Sequence, residues 1–332
     1  MVPGMEVTDT DAIRAEALAE GRRIPTALVE LPGPLDLPAS LEPLRRSGDD
    51  LLNRWDGVWL LRTVMTPGGP LAYAATPVGS VEQPGVRLEV AEVAHLGPAI
   101  AAAGDLIVGA PQKALDALIA ADPVIATLDR RHRGVRLLRS PDLFEALVGA
   151  ISAQQVNLRW AATTRRRLAE LAGTCHRVGD REVWSLEAAG VAGRTVAELR
   201  GLQFTTRKAE YILGAAEAIA GGDLDLASLQ TLDDEAVIAR LTALRGVGRW
   251  TAELLLARTL GRPAVVAGDL AVRKVVGMAY AGLPTVAEAE VRRLTAHWGA
   301  AAPVAQWLLL HSWSLGEDLV AIAAGARAGT PA

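Results

Sequence analysis

Two glycines one residue apart, Gly246 and Gly248, interrupt an otherwise helical stretch, Leu241-Thr242-Ala243-Leu244-Arg245-Gly246-Val247-Gly248-Arg249-Trp250-Thr251-Ala252-Glu253-Leu254-Leu255. The pattern predicts one helix ending in a Gly-Val-Gly turn and a second starting at once. Glycines let the backbone bend tightly and bring bare N–H groups to the surface. At a helix N-terminus those groups, with the dipole behind them, favour an anion such as a DNA phosphate. Such contacts position a duplex and carry no base information. An ordinary αα-turn also uses glycines, but the spacing of Leu241, Leu244, Leu254 and Leu255 and the Thr251-Ala252 pair are more specific than a lone GxG. Downstream runs Val265-Val266-Ala267-Gly268-Asp269-Leu270-Ala271-Val272-Arg273-Lys274, where Asp269 reads as the N-cap of an amphipathic helix. The three lysines, Lys113, Lys208 and Lys274, all lie outside the hairpin, and the single cysteine, Cys175, excludes a disulfide framework and Cys-based metal or iron–sulfur sites.

The elements that must hold these residues follow from periodicity. Short runs at 59–64, 71–75 and 86–90, bounded by Pro-Gly or Gly-Gly turns, predict an antiparallel sheet. From about Pro111 the period becomes helical. Ser140-Pro141-Asp142 starts a helix carrying Phe144, Leu147, Val148 and Ile151, and Ala209, Ile212, Leu213 and Ala216 mark another. Thr231-Leu232-Asp233-Asp234 and Thr285 with Glu288 read as capping boxes. The division expected is a tail over 1–25, a small α+β domain over 26–110, and a helical body over 111–332 with two subdomains flanking a cleft. The 332 residues carry a net charge of −4, distributed as −6 over residues 1–100, +3 over 101–200 and −1 over 201–332. Bulk charge therefore gives no support for nucleic-acid binding, and phosphate must be held by local arginines and backbone geometry. The N-terminus is acidic and reads as no signal peptide, and neither long uncharged stretch (63–81, 298–316) is apolar enough to span a membrane. A cytoplasmic, nucleoid-associated protein is expected.

The hairpin, with an aspartate at this distance beyond it, resembles the helix–hairpin–helix DNA glycosylase superfamily. Within it the chain is most similar to the bacterial 3-methyladenine DNA glycosylase II family, through Phe144-Glu145-Ala146-Leu147-Val148-Gly149-Ala150-Ile151-Ser152-Ala153-Gln154-Gln155-Val156, Arg207-Lys208-Ala209-Glu210-Tyr211-Ile212 and Leu309-Leu310-His311-Ser312-Trp313. The resemblance covers roughly residues 30–318 and is strong from 135 onward. It implies a mostly α fold: a helical glycosylase body preceded by a small α+β domain with an antiparallel sheet. It implies a monomeric, monofunctional enzyme that hydrolyses the N-glycosidic bond of alkylated purines (3-methyladenine, 7-methylguanine type) in double-stranded DNA during base excision repair.

The resemblance also assigns roles. Asp269 is the catalytic carboxylate, stabilising positive charge that develops on the deoxyribose of a flipped nucleotide or orienting water. Trp250 stands where backbone-cleaving relatives place a Schiff-base lysine, and with Leu254 and Leu270 it would wall the base pocket. Gly246, Gly248, Arg249 and Thr251 would meet DNA, and Gln155 falls where the family places a wedge residue. Carbonyls of Thr242, Leu244 and Val247 would hold a monovalent cation (Na+ or K+), with no organic cofactor. Leu254, Leu270 and Pro303-Val304-Ala305-Gln306 depart from the family's more aromatic pattern, which keeps a weakly active damaged-DNA-binding protein and a glycosylase for another lesion class open. Because Trp250, Leu254, Leu270 and Val304 do not titrate, no proton donor is expected opposite Asp269, and cationic N3- and N7-alkylated purines should be preferred.

Overall fold

The computed structural model describes residues 24–329, so most of the tail expected over 1–25 lies outside the described residues. Beyond it, β1 (Thr26–Glu30), α1 (Leu37–Ser47), β2 (Asn53–Trp55), β3 (Leu60–Thr66), β4 (Gly69–Gly79), β5 (Pro84–Val90) and α2 (Leu96–Gly104) form the N-terminal domain. Its five strands pair antiparallel in the order β1-β5-β4-β3-β2; the runs expected at 59–64, 71–75 and 86–90 fall in β3, β4 and β5, and β1 and β2 are added at the two edges. Period-two alternation sends Leu60, Tyr73 and Leu88 into a core with Leu41 of α1 and Ala99 of α2, while Leu61, Ala72 and Ala74 point to the opposite face.

The body begins with β6 (Ile107–Val108), α3 (Gln112–Ala121), α4 (Pro123–Arg131) and β7 (Leu137–Leu138), with β7 pairing back to β6. Then follow α5 (Leu143–Ala153), α6 (Leu158–Ala172), β8 (Thr174–Val178), β9 (Arg181–Ser185), α7 (Ala188–Ala192), α8 (Val196–Gly201), α9 (Thr206–Ala220), α10 (Leu226–Thr231), α11 (Asp234–Thr242) and α12 (Arg249–Arg258). Last come α13 (Leu270–Val276), a π-helical turn (Gly277–Ala281), α14 (Glu288–Thr295), a 3-10 turn (Ala296–Ala301), α15 (Ala302–Ser314) and α16 (Leu319–Arg327). The mostly α class with an antiparallel N-terminal sheet is as expected. The body is nonetheless not helical throughout. The β8–β9 hairpin interrupts it and packs Val178 and Val183 against Leu61, Ala72 and Ala74, covering the second face of the sheet.

Two helical cores result. One gathers α5, α6, α9, α11 and α12 around Leu147, Ile151, Leu168, Ile212 and Leu241. The other joins α3 and α4 to α13, α15 and α16 around Ile125, Val275, Trp298 and Leu308. The second is therefore built from both ends of the body, and the chain enters it before completing the first. Helix starts differ slightly from the sequence reading: Asp233, not Thr231, caps α11, and Ala287 rather than Thr285 precedes α14. Thr231 closes α10 instead, its hydroxyl donating to the Ser228 carbonyl at 2.8 Å.

Candidate active site

The hairpin between α11 and α12 is set by Gly246. Its φ of +86° lies in the left-handed region, and a Cβ there would stand 2.1 Å from the Tyr211 ring of α9, so no other residue fits without moving the aromatic wall. Val247 is buried in the first core and pins the turn's apex. Gly248 differs: its φ of −95° is ordinary and nothing lies within 4 Å of where a Cβ would sit. It is the N-cap of α12 and no side chain caps that helix; the first N–H to bond back is that of Ala252, to the Gly248 carbonyl at 3.1 Å. The preceding N–H groups are left for an outside acceptor.

Gln154, which the sequence reading passed over, ties this turn to the α5–α6 loop: its side-chain amide donates to the Gly246 carbonyl at 3.1 Å. Gln155 beside it is exposed, with φ +55°. The signal was present in the Gln-Gln pair, but which of the two turns inward is decided only by the backbone at 155.

Asp269 is the N-cap of α13, and Oδ1 accepts from the N–H groups of Ala271 (2.8 Å) and Val272 (3.0 Å). Oδ2 accepts from the indole Nε1 of Trp250 at 2.9 Å. Three donors thus converge on one carboxylate, and they fix its orientation from two different helices. The loop before it is held by Gln306, whose side-chain oxygen accepts from Val266 N at 2.9 Å. Asp269, Trp250, Leu254 and Trp307 line a cavity of about 430 Å³ between the two helical cores, and the N-terminal domain supplies part of its wall through Asp50 and Arg62. A partly buried anion beside a stacking indole, next to an exposed helix N-terminus, can stabilise a cation forming on a sugar whose phosphate is held by the hairpin.

A family description, "HhH-GPD superfamily base excision DNA repair protein", matches residues 148–300, which contain both the hairpin and Asp269. That stretch, a little under half of the chain, is similar to the helix–hairpin–helix base excision repair superfamily. A DNA-3-methyladenine glycosylase of Bacillus subtilis is 32% identical over 144 residues, which are 43% of this chain and 48% of that protein. The chain thus spans about half the length of that curated relative. Among solved structures, the 3-methyladenine DNA-glycosylase from Archaeoglobus fulgidus superposes with a TM-score of 0.74 at 20% identity, over 91% of this chain and 99% of that one. The Clostridium acetobutylicum 8-oxoguanine glycosylase/lyase bound to DNA has a TM-score of 0.70 at 16% identity, again over 91% and 99%. These two likenesses concern the fold.

Within this superfamily frame, several residues singled out from sequence are placed elsewhere. Leu270 is 59% exposed and is not part of the cavity wall. Val304 is fully buried in the second core. Thr251 is 1% exposed, which removes its side chain from any DNA contact. Arg249 lies along the protein surface, donating to Glu253 at 3.0 Å and to Glu235 at 2.8 Å, pairs that a phosphate would have to displace. Glu235 and Glu253 hold its guanidinium in the charged form.

The largest correction concerns charge. A cavity without titrating side chains was expected beyond Asp269; its wall instead includes Asp50, Asp142, Glu145, Arg62, Arg165 and Arg258. Burial, reinforced by Arg62 and Arg165, brings Arg258 down to about 10. None of the three lysines lines the cavity; Lys274 instead sits over the Trp313 ring, 5.9 Å from its centroid.

Proposed function

We propose that the protein is a monofunctional DNA glycosylase that hydrolyses the N-glycosidic bond of alkylated purines, with Asp269 as its catalytic carboxylate. The observation that carries this reading is the hydrogen-bonded Asp269–Trp250 pair in the wall of a cavity of about 430 Å³ beside the hairpin. The B. subtilis relative, named a DNA-3-methyladenine glycosylase, supports the lesion class. In this account the α12 N-terminus grips a phosphate, Gln155 fills the space a flipped base vacates, and the base stacks on Trp250. Alkylation at N3 or N7 leaves the purine positively charged and a good leaving group, so one carboxylate suffices to speed its departure. The carbonyls of Thr242, Leu244 and Val247 are proposed to hold a monovalent cation. That of Leu244 accepts the Val247 N–H at 3.1 Å and keeps a lone pair, and among the described residues no backbone N–H bonds to the other two.

Incubation with methylated duplex DNA is expected to release free methylated base and leave alkali-labile abasic sites. Borohydride should trap no covalent adduct, because Trp250 occupies the nucleophile position. Intact DNA would reject the glycosylase reading, and a trapped complex would reject the monofunctional one. Trp250→Phe keeps a stacking ring but deletes the donor to Asp269. A hydrogen bond to a charged group contributes about 1.5–3 kcal/mol, so single-turnover release should slow roughly ten- to hundredfold. An unchanged rate would show that the indole N–H does not position the carboxylate.

A further inference from the structure

We propose that Glu145 is the proton donor of this cavity, delivering a proton to the departing base and so extending excision to uncharged purines, a step that presupposes the glycosylase activity proposed above. Glu145 lies in the first turn of α5, is partly buried, and lines the same cavity as Asp269 and Trp250. The two carboxyls come from different helical cores, so a base between them would be flanked by both. Every cation of the cavity is directed elsewhere. Arg165 donates to Asp50 (2.8 Å) and to Ser152 Oγ (3.0 Å), Arg62 to the Arg139 carbonyl (3.3 Å), and Arg258 to the Leu138 carbonyl (3.3 Å). Among these groups the one ion pair joins Arg165 to Asp50.

Glu145 shares its helix turn with Asp142, the N-cap of α5, whose carboxylate accepts the Glu145 N–H at 2.7 Å. The attraction of Arg62 and the Leu186 N–H only partly offset burial and the Asp142 charge on Glu145, Asp50 adds further negative charge from the α1–β2 segment, and Glu187 from the β9–α7 junction raises Asp142. Two carboxyls one helical turn apart, enclosed and without a paired cation, do not both ionise. Burial, and then the charge of Asp142, holds Glu145 well above the usual carboxylate range. Asp269 is held differently, with three N–H donors on one carboxylate, and it serves as the anion beneath the sugar while Glu145 supplies the proton.

The C1′–N9 bond breaks with its electron pair leaving on the base, and the Glu145 proton moves to a ring nitrogen of that base. Water then adds to C1′, and its released proton restores Glu145. A purine already cationic needs no such proton, whereas a neutral one such as hypoxanthine does.

The test compares single-turnover release of hypoxanthine and of 7-methylguanine by the full chain as a function of pH. The acid form is present below the Glu145 pKa and lost above it, so hypoxanthine release should fall as pH rises through that raised value. The 7-methylguanine profile should lack this limb. Glu145→Gln should lower hypoxanthine release about 10²-fold more than 7-methylguanine release and remove the limb, in line with general-acid contributions. Glu145→Asp, which keeps an acid at shorter reach, should retain the limb at reduced rate. Equal slowing of both bases, a limb that survives in Glu145→Gln, or a wild type that releases 7-methylguanine but no hypoxanthine would overturn the assignment. Release of neither base by the wild type would overturn the glycosylase reading itself, and this step with it.

Discussion

Asp269→Asn is expected to slow base release about 10³-fold while leaving the fold and DNA binding in place. Asparagine is as good an N-cap as aspartate, so α13 keeps its start, and the amide oxygen can still accept from Ala271 and Val272. What is lost is the negative charge under the sugar. A full charge about 4 Å from a developing cation contributes about 4 kcal/mol at an effective dielectric near 20, a factor of about 10³ in rate. Affinity for undamaged duplex should stay within about tenfold, because the phosphate contacts are proposed to belong to the hairpin. Single-turnover assays beside a binding titration check both halves. Near-normal release by the variant would remove Asp269 from the chemistry, and a matching collapse of DNA affinity would make its role one of folding.

The second large effect separates the two hairpin glycines. Gly246→Ala places a methyl group into the Tyr211 ring at a positive φ, two penalties at one site. Each is of the order of 1–3 kcal/mol, so the hairpin should be displaced and binding to every DNA sequence should fall together. Gly248→Ala meets neither penalty. It loses only the N-cap preference for glycine over alanine, about 1 kcal/mol, so its melting temperature should fall by no more than about 2–4 °C, and a larger loss of affinity reports the methyl group standing between the α12 N-terminus and a phosphate. Thermal unfolding with salt-dependent DNA titrations distinguishes the cases. A Gly248→Ala protein that binds normally would place the phosphate elsewhere, and a stable, fully binding Gly246→Ala protein would contradict the packing described here.

How much of this was legible in the sequence depends on how local each feature is. The hairpin, the Asp269 cap and the strands around Leu60, Tyr73 and Leu88 are written in neighbouring residues, and they form where periodicity and turn chemistry place them. The β8–β9 hairpin was not legible. Its strands, Thr174–Val178 and Arg181–Ser185, are largely polar, and they are strands because Val178 and Val183 find the open face of a sheet formed more than a hundred residues earlier. The charged cavity wall was hidden for the same reason. Asp50, Arg62, Glu145, Arg165 and Arg258 come from five separate segments, and each alone reads as a surface or cap residue. Leu270 failed differently: it follows Asp269 in sequence, but the first turn of α13 directs it to solvent.

The central claim is that the Asp269 carboxylate stabilises a cation on the sugar of a nucleotide drawn into the cavity. Binding to a duplex carrying a cationic pyrrolidine in place of one deoxyribose, compared with a duplex carrying a neutral abasic analogue, measures that interaction directly. A mimic of the transition state is held at least about 10²-fold more tightly than an uncharged counterpart when the enzyme is built for that charge. The wild type should show such a preference and Asp269→Asn should lose it. Equal affinity of the wild type for both duplexes, or a preference that survives the substitution, would contradict it.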